Sequence, residues 1–163
     1  MKTTNLYRYF LNCFILTIPI LVWNILLTDK LPKTIKPEIL IQNIDLFIIY
    51  AENIIRIVVF TMMVFMPLQI SKAIQKQGLI LFLFGTLVYF ASWLLLIYYP
   101  DSLWSKSTFG VLSPAYTPLL WLIGIGLIGD SFYFNLPYKR WVYISLSILF
   151  LVFHNIHTYK IYF

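Results

Sequence analysis

Long apolar runs, each closed by a short polar or turn-forming stretch, set the pattern of this chain. A helix that crosses a bilayer needs about 20 predominantly apolar residues. Five segments meet that length: about 7–27, 46–68, 78–98, 113–133 and 141–160. Pro32 and Pro37, Gly78, Pro100 and Gly110, and Pro137 punctuate the gaps, as residues that end helices or favour turns do. No internal repeat, low-complexity tract or soluble domain interrupts the series. The pattern predicts an all-α, polytopic integral membrane protein: one transmembrane helical domain over 1–163, folded as a compact bundle of five spans. The longest gap, 28–45, holds Asp29, Lys30, Lys33, Lys36 and Glu38 and suits a short interfacial helix.

Composition supports that class. The chain is 61% hydrophobic and 11% charged, against roughly 45–50% and about 25% in soluble domains. Its Trp and Tyr residues suit the headgroup level of a bilayer. Lys2 and Arg8 precede the first apolar run, as in a signal peptide, but that run is too long and "ILLTDKLP" offers no small-x-small cleavage site. The segment is expected to stay as a membrane helix.

The net charge of +6 changes the picture little. The basic residues stand in ones and twos beside apolar runs, whereas nucleic-acid binders carry a clustered basic face, so no nucleic-acid partner is expected. Lys2, Arg8, Lys72, Lys76, Lys139 and Arg140 fall on the amino-terminal side of the five-span scheme; Lys30, Lys33, Lys36, Lys106 and Lys160 fall on the other. The short 71–77 loop has two lysines and no acid. The positive-inside bias then puts the amino terminus in the cytoplasm and the protein in the cell membrane. Cys13 is the only cysteine, which excludes an internal disulfide.

Candidate chemistry enters through one segment, YAENIIRIVVF (50–60), which sets Glu52, Asn53 and Arg56 into an apolar span. Helical periodicity places Asp45, Ile49, Glu52, Arg56 and Met63 on one face, with Asn53 nearby. Glu52 and Arg56 are spaced i, i+4 with the glutamate first, the favourable order for an ion pair. A charge in mid-bilayer costs about 2.5–3.5 kcal/mol on insertion scales, so this stripe should face the bundle interior. Helix parity brings further polar groups to the same end: Trp23, Asn24, Ser92, Trp93, Ser113, Tyr116, Thr117, His154, Asn155 and His157. Tyr143, Ser147 and His154 share a face of the last span. The expected ligand site comprises Glu52, Asn53, Arg56, Tyr99, Trp104, Tyr116 and His154, with 99–110 covering its mouth. The competing reading is an ion pair that only fixes helix register.

Other motifs carry less. His154 and His157 with Glu52 fall short of a structural zinc set, which has four ligands, and neither a metal nor another cofactor is expected. Asp101, Ser102 or Ser105, and His154 supply the residue types of a catalytic triad, but G-x-S-x-G is absent. "GIGLIG" (124–129) lies within an apolar span and lacks the strand and acid of a dinucleotide site; close helix packing through small residues explains it better. Asp130 reads as interfacial, at the end opposite Glu52. In "SPAYTP", Ser113 and Pro114 suit a helix start and Pro118 a kink. No motif ties the chain to a known family.

The leading functional expectation is a small membrane protein that binds or moves an amphipathic or anionic small molecule through a polar intramembrane pocket. A membrane enzyme acting on a lipid-like substrate, with Glu52 and His154 in acid–base roles, is the alternative. A non-catalytic assembly or regulatory subunit is the third class. Membrane lipids are expected partners; no protein partner is indicated.

Overall fold

The computed structural model describes residues 7–31 and 44–163. Among them the regular structure is helical, with a single isolated bridge between Asn12 and Pro67 and no strand. The helices are α1 (Tyr7–Phe10), α2 (Ile18–Leu27), α3 (Leu46–Phe65), α4 (Ala73–Tyr98), α5 (Thr108–Val111), α6 (Ser113–Tyr116), α7 (Pro118–Ile128) and α8 (Arg140–Tyr162). Short 3-10 turns, Cys13–Thr17 and Thr28–Lys30, flank α2. Four stretches are long and apolar enough to cross a membrane: Cys13–Lys30, Leu46–Phe65, Ala73–Tyr98 and Arg140–Tyr162. The fifth apolar stretch, Ser113–Ile128, is shorter. The expected interfacial helix over 28–45 falls mostly outside the described residues.

The first apolar run is not one helix from residue 7. After α1 the backbone turns extended, and Cys13 N–H donates to Met66 O (2.9 Å) while Leu68 N–H donates to Leu11 O (2.9 Å). Asn12 then restarts the chain by accepting from Phe14 N–H, and Pro19 takes an early position in α2, where its missing N–H costs nothing. At the start of α3, the Asp45 carboxylate caps Phe47 N–H at 2.9 Å. That helix stops at Phe65, short of the expected 68, because Met66 precedes Pro67 and the residue before a proline leaves the α region.

Helix α4 begins at Ala73, ahead of the expected 78. The Gln75 side chain accepts from the Ser71 and Lys72 backbone N–H groups and donates to Ile128 O at 3.1 Å. It caps the helix and ties it to the end of α7. Gly78 therefore does not end an element; it is buried inside α4.

The run expected as one span over 113–133 is broken twice. Pro118 follows Thr117 and starts α7 anew, while α7 itself ends at Ile128. Beyond it, Asp130 is bonded by Lys72 and by Arg140 (3.0 Å), and Arg140 also donates to Gly129 O. Asp130 is thus a hub joining α4, α7 and α8 at the end opposite Glu52, not a lone interfacial residue. Nearby, the Tyr138 hydroxyl donates to Gly126 O, and burial raises the phenol above its ordinary range. Ser113 does not accept a helix-capping bond; its hydroxyl donates back to Gly110 O, and Ser107 provides the cap for α5.

Packing is closest between α4 and α7, then between α3 and α8. Glycines make the first contact possible. A Cβ on Gly85 would stand 2.6 Å from Trp121 N, and one on Gly124 2.5 Å from Phe82 N, so the two backbones touch directly. Gly126 similarly admits Tyr143 of α8. On α3 the interior stripe is Glu52, Val59 and Met63, continuous with Trp121, Leu122, Tyr143 and Phe150 in the buried core. Helix α2 touches the other long helices little along its length. Among the described residues its attachments include Ile20 in the core, Trp23 stacked on Phe90, and a hydrogen bond that Asn24 accepts from Tyr89.

Candidate functional site

The interior stripe of α3 and the last turns of α8 bring four charged or titratable groups together. Glu52 is 1% exposed and accepts on both carboxylate oxygens. Oε1 receives Arg56 and, at 3.0 Å, His154 Nδ1; Oε2 receives His157 Nδ1. The expected ion pair is therefore one edge of a four-residue cluster. An ionised carboxylate only accepts, so both imidazoles present Nδ1–H to it, with Nε2 on the far side of each ring.

The guanidinium of Arg56 lies 5.6 Å above the Phe150 ring, and Phe150 in turn stacks on His154 at 5.6 Å between centroids. A cation over an aromatic face is favourable. Phe150 thus contacts both groups that share Glu52 Oε1. The Arg56 side chain is 42% exposed, so it reaches past the carboxylate it pairs with.

Two adjoining cavities meet this cluster. One, of about 290 Å³, is lined by residues of all five apolar stretches, among them Leu21, Arg56, Tyr89, Trp121, Phe150 and His154. The other, of about 320 Å³, runs towards the carboxyl-terminal ends of α4 and α8, past Trp93, Leu96, Val111, Thr158 and Tyr162. Asn24, Tyr89, Pro114 and His154 line both and form the neck between them. Across that neck Tyr89 Oη–H donates to Asn24 Oδ1 at 2.7 Å. The indole N–H of Trp121 is buried without a hydrogen-bond partner on the wall of the deeper cavity. The break at Thr117 leaves the Ala115 carbonyl to accept from the Asn155 amide of α8, at 3.1 Å.

Sequence-derived site residues divide accordingly. Glu52, Arg56 and His154 come together, with Glu52 behind the wall and the other two on it. Asn53 is exposed and lines neither cavity, since the residue after Glu52 turns about 100° away on a helix. Tyr116 bonds to Phe109 O and borders a separate shallow hollow with Asn155. Tyr99 and Trp104 line neither cavity, and no residue of 99–110 does. That segment folds back on α4 through Ser105 Oγ–H to Leu95 O. Asp101 pairs with Lys106, and Ser102 bonds to Ser105; these groups do not join His154 as a triad. Among the described residues no group of three or more His, Cys, Asp or Glu is arranged to hold a metal ion.

Four contributors were outside the expected set: His157, Asn24, Tyr89 and Trp121. The i, i+3 spacing of His154 and His157 carried the signal for the first. The other three depend on how α2, α4 and α7 face one another, which spacing within one helix does not reveal. The chain matches no known protein family, no curated protein and no solved structure.

Proposed function

We propose that the chain is a multi-pass membrane protein that binds a small amphipathic or anionic molecule in the cavity enclosed by its helices. The observation that carries this reading is the deeper cavity. It touches every apolar stretch, is walled mostly by apolar side chains, and counts among its lining Arg56, His154 and Trp121, whose N–H is unpartnered. A few convergent polar groups in an apolar hollow are the ordinary composition of a small-molecule site. An outer surface that exposes Ile25, Ile54, Ile57, Ile80 and Leu87 supports a lipid environment.

In this reading Ser113–Ile128 crosses as the fifth span, with the irregular backbone at its two ends covering the remaining depth inside protein contacts. The cell membrane is the proposed location, with the amino terminus cytoplasmic. Cysteine labelling at positions 3 and 162, in a Cys13→Ser background, is expected to require opposite sides of the membrane. Labelling of both from one side would remove the five-span arrangement.

The ligand reading is tested by native mass spectrometry of protein released from nonionic micelles. A retained amphiphile is expected, and Trp121→Phe should lower its occupancy several-fold, since a buried ligand acceptor left without its donor costs about 1–3 kcal/mol. Protein that carries no small molecule, and takes up none when amphiphiles are added, would overturn the reading. An enzymatic role has one observation in its favour. Glu52 orients His154 through Nδ1, leaving Nε2 at the cavity wall as a base, the arrangement that carboxylate–histidine pairs use in general-base catalysis.

A further inference from the structure

The charges around the cavity decide what kind of head group it accepts. Glu52 contributes one negative charge and Arg56 one positive. Both imidazoles set Nδ1 against the carboxylate, which as an acceptor takes an N–H from each. With both rings in that Nδ1–H tautomer the cluster sums to zero charge. An anion entering the deeper cavity would find its one guanidinium already shared with Glu52. An unpaired charge in an apolar interior is strongly unfavourable. Among the described residues, no lysine and no second arginine lines either cavity. The groups facing His154 are Glu52 and Arg56 from α3, His157 on its own helix, and Tyr89 and Tyr162 around the two cavities, with neutral Asn24 from α2. Among the described lining residues, His154 is the side chain that can take up a proton to add positive charge, through the Nε2 turned away from Glu52.

We infer that the ligand is a weak monocarboxylic acid with an apolar chain, bound as its carboxylate after passing its proton to His154. This rests on the reading of the cavity as a ligand site. The step is balanced without any further reactant. The acid's O–H bond breaks, an N–H bond forms at His154 Nε2, and the carboxylate produced lies against imidazolium and Arg56. The total charge of the buried assembly stays unchanged. Glu52 holds the imidazolium through Nδ1–H, so the proton's new position is stabilised by a carboxylate already in contact with the ring. The Trp121 N–H supplies a further donor from α7, and Ile20, Leu21, Phe60 and Leu151 surround the chain. A neutral alcohol would leave His154 unprotonated and gain nothing from Arg56.

The chain has two histidines, so the transfer is directly visible by ¹⁵N NMR of protein labelled at histidine and tryptophan, in nonionic micelles at pH 8, titrated with decanoate. His157→Gln assigns the two rings, and Trp121→Phe assigns the indole N–H that reports binding. The expected result is a saturable shift of the Trp121 indole together with conversion of the His154 Nε2 from an unprotonated to an imidazolium signal. In His154→Gln, decanoate affinity should fall about tenfold or more, the loss expected for a charge-assisted hydrogen bond. Decanol should leave both imidazoles unchanged. Saturable binding of decanoate with His154 still neutral would overturn the proton transfer and leave the cavity reading standing. No decanoate binding, in a protein that retains an amphiphile of other chemistry, would overturn the ligand class. Absence of any ligand by either route would overturn both.

Discussion

Glu52→Leu is expected to destabilise the protein by about 3–5 kcal/mol, the usual consequence of breaking a buried charge network at one partner. Three donors lose their acceptor at once: Arg56, His154 and His157. Arg56 can turn outward because its side chain is already 42% exposed, but the two imidazoles sit in the last turns of a packed helix. Arg56→Met should cost less, about 1 kcal/mol, because a partly exposed ion pair is screened and both histidine donors remain on Glu52. The sequence alone suggests that replacing both charges would restore stability; the structure predicts otherwise. The double variant should remain close to Glu52→Leu, because His154 and His157 still lack their partner. Unfolding free energies of the three variants in micelles decide the point. An Arg56→Met loss equal to that of Glu52→Leu would reduce the cluster to a simple pair.

The second large effect belongs to the seam between α4 and α7. Gly85→Leu or Gly124→Leu should cost about 3 kcal/mol or more, above the usual range for overpacking. The atoms met by the new side chain are backbone: Trp121 N against residue 85 and Phe82 N against residue 124. Neither can move without separating two helices that also bury Gln75 and its bond to Ile128 O. Loss of a monodisperse species in size-exclusion chromatography, or a large drop in thermal midpoint, is the expected readout. Variants as stable as the parent would mean that the two backbones do not meet at these glycines.

Much of the interior was legible in periodicity. Glu52, Arg56 and Met63 share a face because α3 is a regular helix, and the same rule places Tyr143, Ser147 and His154 together on α8. Helix parity then brings the ends of α3 and α8 to one level, and Glu52 meets His154. What the pattern misses has a common cause. The break before Cys13 depends on a backbone pairing with Met66, far along the chain, and apolar composition carries no trace of it. The turn of 99–110 onto α4 depends on the Ser105 hydroxyl reaching Leu95 O. Asn53 was grouped with its neighbour by proximity in sequence, although one step on a helix turns a side chain well off the face.

The attachment of α2 has a mechanical consequence. Its leading end is stitched to the start of the α3–α4 connection by two main-chain bonds, and Tyr133 Oη–H adds a third to Leu11 O. Its far end is fastened by the Trp23–Phe90 stack and the single Asn24–Tyr89 bond. A rod anchored so unequally is a lever with its fulcrum near Cys13. Any swing displaces Asn24 and Thr28 most, and these residues border the neck and the outer chamber. Under the proposed ligand-binding reading, such an anchoring favours a sideways opening between α2 and α4, by which a molecule dissolved in the surrounding leaflet would reach His154 without passing through water.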